Sequence, residues 1–158
     1  MIKLLILLSL FIPLLAQERL YHTPDHHSRF TYDLNRLLKN STQIGIISPS
    51  FNHSALKKGI LQSAKRGSLV TLVVNNPKAD PLSMVQYERI NLNIYSHPLH
   101  QSVFLIDDSL VCTMDGEIDE ETLSSQKYLI RCSDDKHTLQ AMKRSFTAIL
   151  NRSKPYLE

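Results

Sequence analysis

Two polar residues that could take part in chemistry flank a short apolar segment in the second half of the chain. His100 comes shortly before the run from Val103 to Ile106, and Asp107 follows that run, seven residues after the histidine. A histidine can act as a nucleophile or transfer a proton. Both residues also have structural interpretations, because a histidine before a strand is often a polar loop residue and an aspartate can cap a turn. The pair therefore defines a candidate site whose use depends on the elements around it.

These elements are predicted from the spacing of apolar residues. Intervals of three or four predict helices, and short apolar or β-branched runs predict strands. Helices are predicted at 29–39, from about 54 to 66, from Asp80 to about 89 and from Asp134 to about 152; strands are predicted at 19–22, 43–48, 69–74, 92–95, 102–107, 110–114 and 128–132. Asn52 or Ser54 is expected to cap the second helix, and residues 115–125 are expected to form a surface loop. This alternation predicts an α/β fold with a mixed β-sheet sandwiched by helices.

The order and spacing of four segments resemble the single-motif, endonuclease-like branch of the phospholipase D superfamily. The segment from His100 to Asp107 is similar to the H-x-K-x4-D motif of that family, and residues 64–70 are similar to its A-x-x-R-G-V-x-V unit. Residues 20–24 resemble its opening Y-F-S-P strand, and residues 134–150 resemble its closing helix with a characteristic phenylalanine, here Phe146. The resemblance spans nearly all of residues 17–158 and implies a phospholipase D-like fold.

The resemblance also implies a chemistry, the hydrolysis of phosphodiesters in nucleic acid or phospholipid. His100 would be the covalent nucleophile on phosphorus, and a second histidine would protonate the leaving oxygen. Because this chain supplies a single motif, a complete site implies a twofold homodimer that brings two His100 side chains together. Asp107 is the other catalytic candidate of the motif. Neither a cofactor nor a resident metal is implied.

The chain departs from the family pattern at the positions that hold phosphate. Ser102 replaces the family lysine, Met114 and Asp115 replace its Gly-Ser pair, and Glu117 replaces its asparagine. Losing one preorganised donor costs about 10²–10³ in rate, and carboxylates at substrate-binding positions repel a phosphate. We therefore expect a weak or inactive enzyme, a pseudoenzyme. The alternative is a non-catalytic binding or assembly module of the cell envelope.

The first 16 residues have the pattern of a secretory signal peptide. Lys3 provides a basic start, residues 4–15 are mostly apolar, and Ala16 offers a small residue for cleavage. Twelve such residues are short for a membrane span, which needs about 20. Leu14 fits a cleavage site poorly, so an uncleaved N-terminal anchor remains the alternative. Either interpretation predicts an exported protein of the periplasm or cell envelope, with its domain at 17–158.

The charge of the chain is nearly balanced and favours no particular partner. The sequence has 18 lysines and arginines against 15 acidic residues. It has no basic tail or stripe, so charge gives no support for nucleic-acid binding. Four basic residues of the second predicted helix form a modest patch that is interpreted as a solvated face; they are Lys57, Lys58, Lys65 and Arg66.

Cys112 and Cys132 each fall inside a predicted strand. They are either two buried thiols or a disulfide between neighbouring strands, which an oxidising compartment would favour. Adjacent strands lie about 4.8 Å apart, so a bond requires the two residues to stand nearly opposite each other.

A second polar cluster lies near the start of the domain. His22, His26 and His27, with Asp25 between them, could bind a transition metal. Their spacing matches neither a zinc finger nor a helical metalloprotease motif. A solvated loop is therefore the favoured interpretation, and no metal site is predicted.

Overall fold

The fold is built on an eight-stranded mixed β-sheet, seen in a computed structural model that describes residues 17–76 and 87–157. The strands are β1 (Glu18–His22), β2 (Gln43–Ser48), β3 (Phe51–Asn52), β4 (Leu69–Val74), β5 (Ile90–Ile94), β6 (Gln101–Ile106), β7 (Leu110–Asp115), β8 (Ile118–Asp119), β9 (Leu129–Ser133) and β10 (Lys154–Pro155). The helices are α1 (His27–Leu38), α2 (Ser54–Lys65), α3 (Glu120–Ser125) and α4 (Lys136–Leu150). The helix expected from Asp80 falls mainly outside the described residues, as does the expected signal segment.

The sheet combines parallel and antiparallel pairs of strands. The order is β1-β9-β7-β6-β2-β4-β5-β10, with parallel pairing among β2, β4 and β5 and antiparallel pairing elsewhere. β3 and β8 form a separate parallel pair. Because β2 and β6 are antiparallel, the last residue of β2 lies beside the start of β6. The predicted mixed sheet is confirmed.

Helices cover both faces of the sheet. Successive side chains of a strand point to opposite faces, so β6 buries alternate residues on each side. Phe104 packs with α1 and α2, whose Phe30 and Ile60 are at most 1 % exposed. Val103 belongs to a second apolar cluster, to which α4 contributes Leu139. Within the described residues, no helix has the length and apolar character to cross a membrane.

The acidic segment 115–125 is not the expected surface loop. It contains β8 and α3, and its Ile118 and Leu123 side chains are fully buried. The Asp119 carboxylate caps α3 by accepting a hydrogen bond from the Thr122 amide at 3.0 Å. The loop interpretation was wrong because two inward apolar side chains suffice to order a segment whose other residues are mostly acidic or polar.

Two helix caps also differ from expectation. His53, not Asn52 or Ser54, precedes α2, and its ring Nδ1 accepts a hydrogen bond from the Leu56 amide at 3.4 Å. The final helix is capped by Asp135, whose carboxylate accepts from the Thr138 amide at 2.8 Å. His53 lies between the two expected caps of α2, and Asp135 lies one residue after Asp134, where the final helix was predicted to begin.

The cysteines form the disulfide that strand pairing allows. Cys112 on β7 and Cys132 on β9 are directly opposed partners, with their Cα atoms 4.0 Å apart. Both cysteines are buried, so the bond links the two adjacent strands inside the core.

Candidate active site

His100 stands exposed just before β6, at the end of the sheet where β2 finishes. Its backbone carbonyl accepts a hydrogen bond from the Gly116 amide at 2.8 Å, which fixes the position of the residue beside the β7–β8 connection. The side chain borders a cavity of about 420 Å³. The apolar walls of this cavity include Ile47, Leu99, Val103, Met142, Phe146 and Ile149.

Ser102 lies two residues further along the chain and is completely buried. Its Oγ lies 2.8 Å from Ser48 Oγ, at the end of β2, and donates a hydrogen bond to the Gly116 carbonyl at 2.6 Å. The position of the family lysine is therefore occupied by a serine whose hydroxyl faces the protein interior and donates a hydrogen bond to the backbone carbonyl of Gly116.

A network of hydroxyls extends from this serine to the segment that follows β7. Ser48 Oγ accepts a hydrogen bond from the Ile118 amide at 3.0 Å and donates to the Ser50 carbonyl. Ser50 in turn donates its hydroxyl proton to the Glu117 carboxylate. These bonds hold the β7–β8 connection, including the Glu117 carboxylate, against the end of β2.

Asp115 and Glu117 place negative charge on the same side as His100. Asp115 is exposed at the end of β7, directly opposite Gln101, and its Oδ1 accepts a hydrogen bond from the side-chain Nε2 of Gln101 at 3.1 Å. Glu117 is half-buried. The structure therefore gathers His100, Ser102, Asp115 and Glu117 at one end of the sheet, and two of these four residues are carboxylates.

Asp107 lies at the other end of β6 and does not join this group. Six strand residues separate it from His100, or roughly 20 Å at the usual rise. Its Oδ1 accepts hydrogen bonds from the Thr42 amide, the Thr42 hydroxyl and the Gln43 amide at 2.9–3.0 Å. Its φ of 50° is one that aspartate tolerates in turns. The structure gives this residue a role in tying the β6–β7 turn to the start of β2.

These hydrogen bonds also set the charge state of Asp107. Partial burial raises the pKa of the carboxyl, but the bonds from Gln43 and Thr42 outweigh it and hold the pKa below its usual value. The residue is a carboxylate at neutral pH and acts there as a hydrogen-bond acceptor.

A pair of histidines that the sequence analysis did not associate lies near the N-termini of α1 and α2. His53 is 1 % exposed, and its Nε2 lies 2.8 Å from Nε2 of His27. Because His53 Nδ1 accepts the Leu56 amide proton, the neutral ring carries its own proton on Nε2 and donates it to His27. The signal for this pair was the position of His53 directly before an amphipathic helix, but an imidazole cap is much rarer than an Asn or Ser cap.

The histidine pair predicts a loss of stability in mild acid. Burial lowers the pKa of His53; the Glu120 charge opposes this shift and His27 adds to it. The unfolded chain therefore binds more protons than the native one below about pH 6.5, so stability falls as the pH drops through that range. Urea unfolding of the wild type and of His53→Asn, which retains a capping side chain, measures this effect between neutral and mildly acidic pH. The wild type should lose more stability, and equal slopes would contradict the prediction.

The histidines near the N-terminus divide into two pairs, with the His22 and His26 ring centroids 5.9 Å apart. The His22 backbone amide donates to His26 Nδ1 at 3.1 Å, whereas His27 faces His53. Across the described parts of the chain, no three His, Cys, Asp or Glu side chains are grouped so that they could hold a metal ion.

Comparison with known proteins identifies the fold. The sequence matches no protein-family model and no curated protein. NucT from Helicobacter pylori superposes with a TM-score of 0.81 at 17% identity, covering 89% of this chain and 99% of that one. Nuc from Salmonella typhimurium, a phospholipase D family member, gives a TM-score of 0.77 at 16% identity, covering 90% and 99%. Phosphatidylserine synthase from Haemophilus influenzae gives 0.69 at 10% identity, covering 91% of this chain and 40% of that one.

These similarities establish the fold: the chain has the fold of the phospholipase D superfamily. The resemblance inferred from four short segments is thereby confirmed at the level of the fold. The matches to NucT and Nuc extend over almost the whole length of those two structures.

Proposed function

We propose that this protein is an exported phospholipase D-like protein in which hydrolysis of phosphodiesters by His100 is weak or lost. Support for the ancestry comes from the shared fold and from the position of His100, exposed beside a cavity at the start of the central strand β6. Nucleic acid and phospholipid head groups are the substrate classes that this ancestry suggests.

The observation that carries the proposal is the burial of Ser102. In the family a lysine at this position holds the phosphate, whereas the serine here is fully buried, with its Oγ 2.6 Å from the Gly116 carbonyl oxygen and 2.8 Å from Ser48 Oγ. In a dimer two lysines are absent, and independent losses would reduce the rate by about 10⁴–10⁶. Asp115 and Glu117 add repulsion toward an anionic substrate.

Two further features belong to the proposal. A homodimer follows from the presence of one candidate nucleophile per chain, since the family chemistry uses two histidines. Export follows from the signal-like residues 1–16, and the Cys112–Cys132 disulfide favours an oxidising compartment such as the periplasm.

The alternative, a non-catalytic binding or assembly module of the envelope, is favoured by the same serine network. Ser48, Ser50 and Ser102 stabilise the connection to β8 through contacts within the protein. An end of the sheet that is held together by its own hydrogen bonds can persist after catalysis has been lost.

The test is a hydrolysis assay with matched histidine variants. The purified protein is incubated with single-stranded DNA, double-stranded DNA and a generic phosphodiester, beside His100→Ala and His97→Ala. His97 is also exposed in the connection between β5 and β6, which contains His100, and it serves as the control. We expect little or no hydrolysis by all three proteins. Robust hydrolysis that disappears only in His100→Ala would show an active site and contradict the proposed loss of activity.

A further inference from the structure

The two helices on one side of the sheet form a surface that the separate sequence segments did not reveal. α1 and α2 both pack on the same apolar cluster, side by side, through their buried faces. Their outward sides carry five exposed cationic side chains, here called the basic face: Arg29, Arg36 and Lys39 on or next to α1, and Lys58 and Lys65 on α2.

The segment that contains these two helices is rich in positive charge, and one of its cations, Arg29, forms an ion pair with Asp33 at 4.0 Å. Residues 27–66 contain seven lysines or arginines and one acidic residue, Asp33. Asp33 lies at the side of α1, where its carboxylate accepts the Tyr21 hydroxyl proton at 2.9 Å and only 20% of its side chain is exposed. Residues 107–135 have the opposite composition, with nine acidic and two basic residues. The nearly balanced charge of the whole chain therefore conceals an uneven distribution of charge along the sequence, although Glu120 of the acidic segment lies beside Ser54 at the start of α2.

An aromatic residue stands in the middle of the basic face. Tyr32 is 68% exposed, the highest exposure among the large apolar or aromatic side chains of the described residues. It lies three residues after Arg29 and four before Arg36, so the three side chains share one side of α1. This side is opposite to the buried Phe30 and Leu34. Tyr32 therefore adds an aromatic ring to the basic face without contributing to the core.

We propose that the basic face docks the domain onto a lipid bilayer that contains anionic headgroups. Each lysine or arginine near such a surface contributes about 1 kcal/mol, equivalent to roughly a fivefold gain in binding. Tyrosine is favoured at the headgroup level because its ring is apolar and its hydroxyl is polar. The complementarity is one of charge, spread over two helices rather than concentrated at one point.

The shape of the surface favours a bilayer over a nucleic acid. The stripe from Arg29 to Lys39 is about 15 Å long at the usual helical rise, and packed helix axes lie about 8–10 Å apart. The basic face is thus broad and is formed by the outward sides of two neighbouring helices. Proteins that hold single-stranded nucleic acid use a charged groove with several stacking aromatics, whereas the basic face has Tyr32 alone.

Docking in this orientation leaves the candidate active site accessible. The cavity beside His100 is lined by Met142, Phe146 and Ile149 of α4, which packs on the other side of the sheet from α1 and α2. A ligand of His100 would approach from the aqueous side. The proposal is independent of whether His100 catalyses hydrolysis.

The test is co-sedimentation of the full-length protein with two kinds of vesicle. One is phosphatidylcholine alone, which also measures any contribution from residues 1–16, and the other is an equal mixture of phosphatidylcholine and phosphatidylglycerol. The test variant is Arg36→Gln/Lys39→Gln/Lys58→Gln. The control variant removes the same number of exposed cations at and beyond α4, as Lys136→Gln/Arg144→Gln/Arg152→Gln. Urea unfolding confirms that both variants remain folded.

We expect the wild type to prefer the anionic vesicles, and the test variant to lose about a hundredfold in affinity while the control loses little. High salt should abolish the preference, since a Debye length of about 3 Å at 1 M screens the headgroup charge. Equal binding to both vesicles, or equal loss in both variants, would overturn the proposal. Binding of a single-stranded oligonucleotide through the same three residues, without any preference for anionic vesicles, would overturn it in favour of nucleic acid.

Discussion

Replacing Ser102 with lysine is expected to destabilise the protein by about 3 kcal/mol or more without restoring hydrolysis. The serine side chain has no exposed surface and bonds to Ser48 and to the Gly116 carbonyl. A lysine there must bury an ammonium group or displace the β7–β8 connection, and an uncompensated buried charge costs about 3–5 kcal/mol. If the ammonium pairs with Glu117 instead, its charge is neutralised and little remains to bind phosphate.

The measurement is urea unfolding of wild type, Ser102→Lys and Ser102→Ala, together with the hydrolysis assay. Ser102→Ala removes the hydrogen bonds without adding charge or bulk and is expected to cost only about 1–2 kcal/mol. The difference between the two variants isolates the effect of the ammonium group. Phosphate should raise the melting temperature of none of them appreciably. A stable, actively hydrolysing Ser102→Lys protein would show that the rest of the site is intact and that Met114 and Asp115 matter less than proposed.

Loss of the Cys112–Cys132 disulfide is expected to cost about 3 kcal/mol of unfolding free energy. The two cysteines are separated by 20 residues, and in the chain-entropy account a loop of this size restricts the unfolded chain by about that amount. The loop contains β8 and α3, so the bond also limits the freedom of the segment that carries Glu117.

The effect is measured by unfolding the oxidised protein, the reduced protein and a Cys112→Ala/Cys132→Ala variant. The reduced wild type retains both sulfur atoms, so its comparison with the alanine variant separates the cavity cost from the cross-link. Titration of denatured, unreduced protein should detect no free thiol among these two residues. Two reactive thiols per chain, or equal stability of oxidised and reduced protein, would contradict the prediction.

The sequence by itself determined the fold class and most of the elements. The apolar run of β6 and the helical spacing of Phe30 and Leu34 are local patterns, and local patterns survive without knowledge of the partner elements. Segment 115–125 was misjudged because its acidic composition outweighed two apolar residues whose burial depends on β3 and the core. The sequence predicted the disulfide only on the condition that the two cysteines stand opposite each other, because the register of paired strands is a property of the tertiary structure.

The residues of the candidate site could be identified from the sequence, but their arrangement could not. The types of residue at 100, 102, 115 and 117 were readable from sequence, and so was the loss of the family lysine. Only the tertiary structure decided where their side chains lie, because burial and hydrogen bonding depend on residues distant in sequence. In the folded protein Asp107 lies at the far end of β6 from His100, and Ser102 is buried beside Ser48. The exposed cations of α1 and α2 lie on one surface. A one-dimensional pattern records which groups are present, whereas the packing of β2, β6 and β7 decides which of them meet.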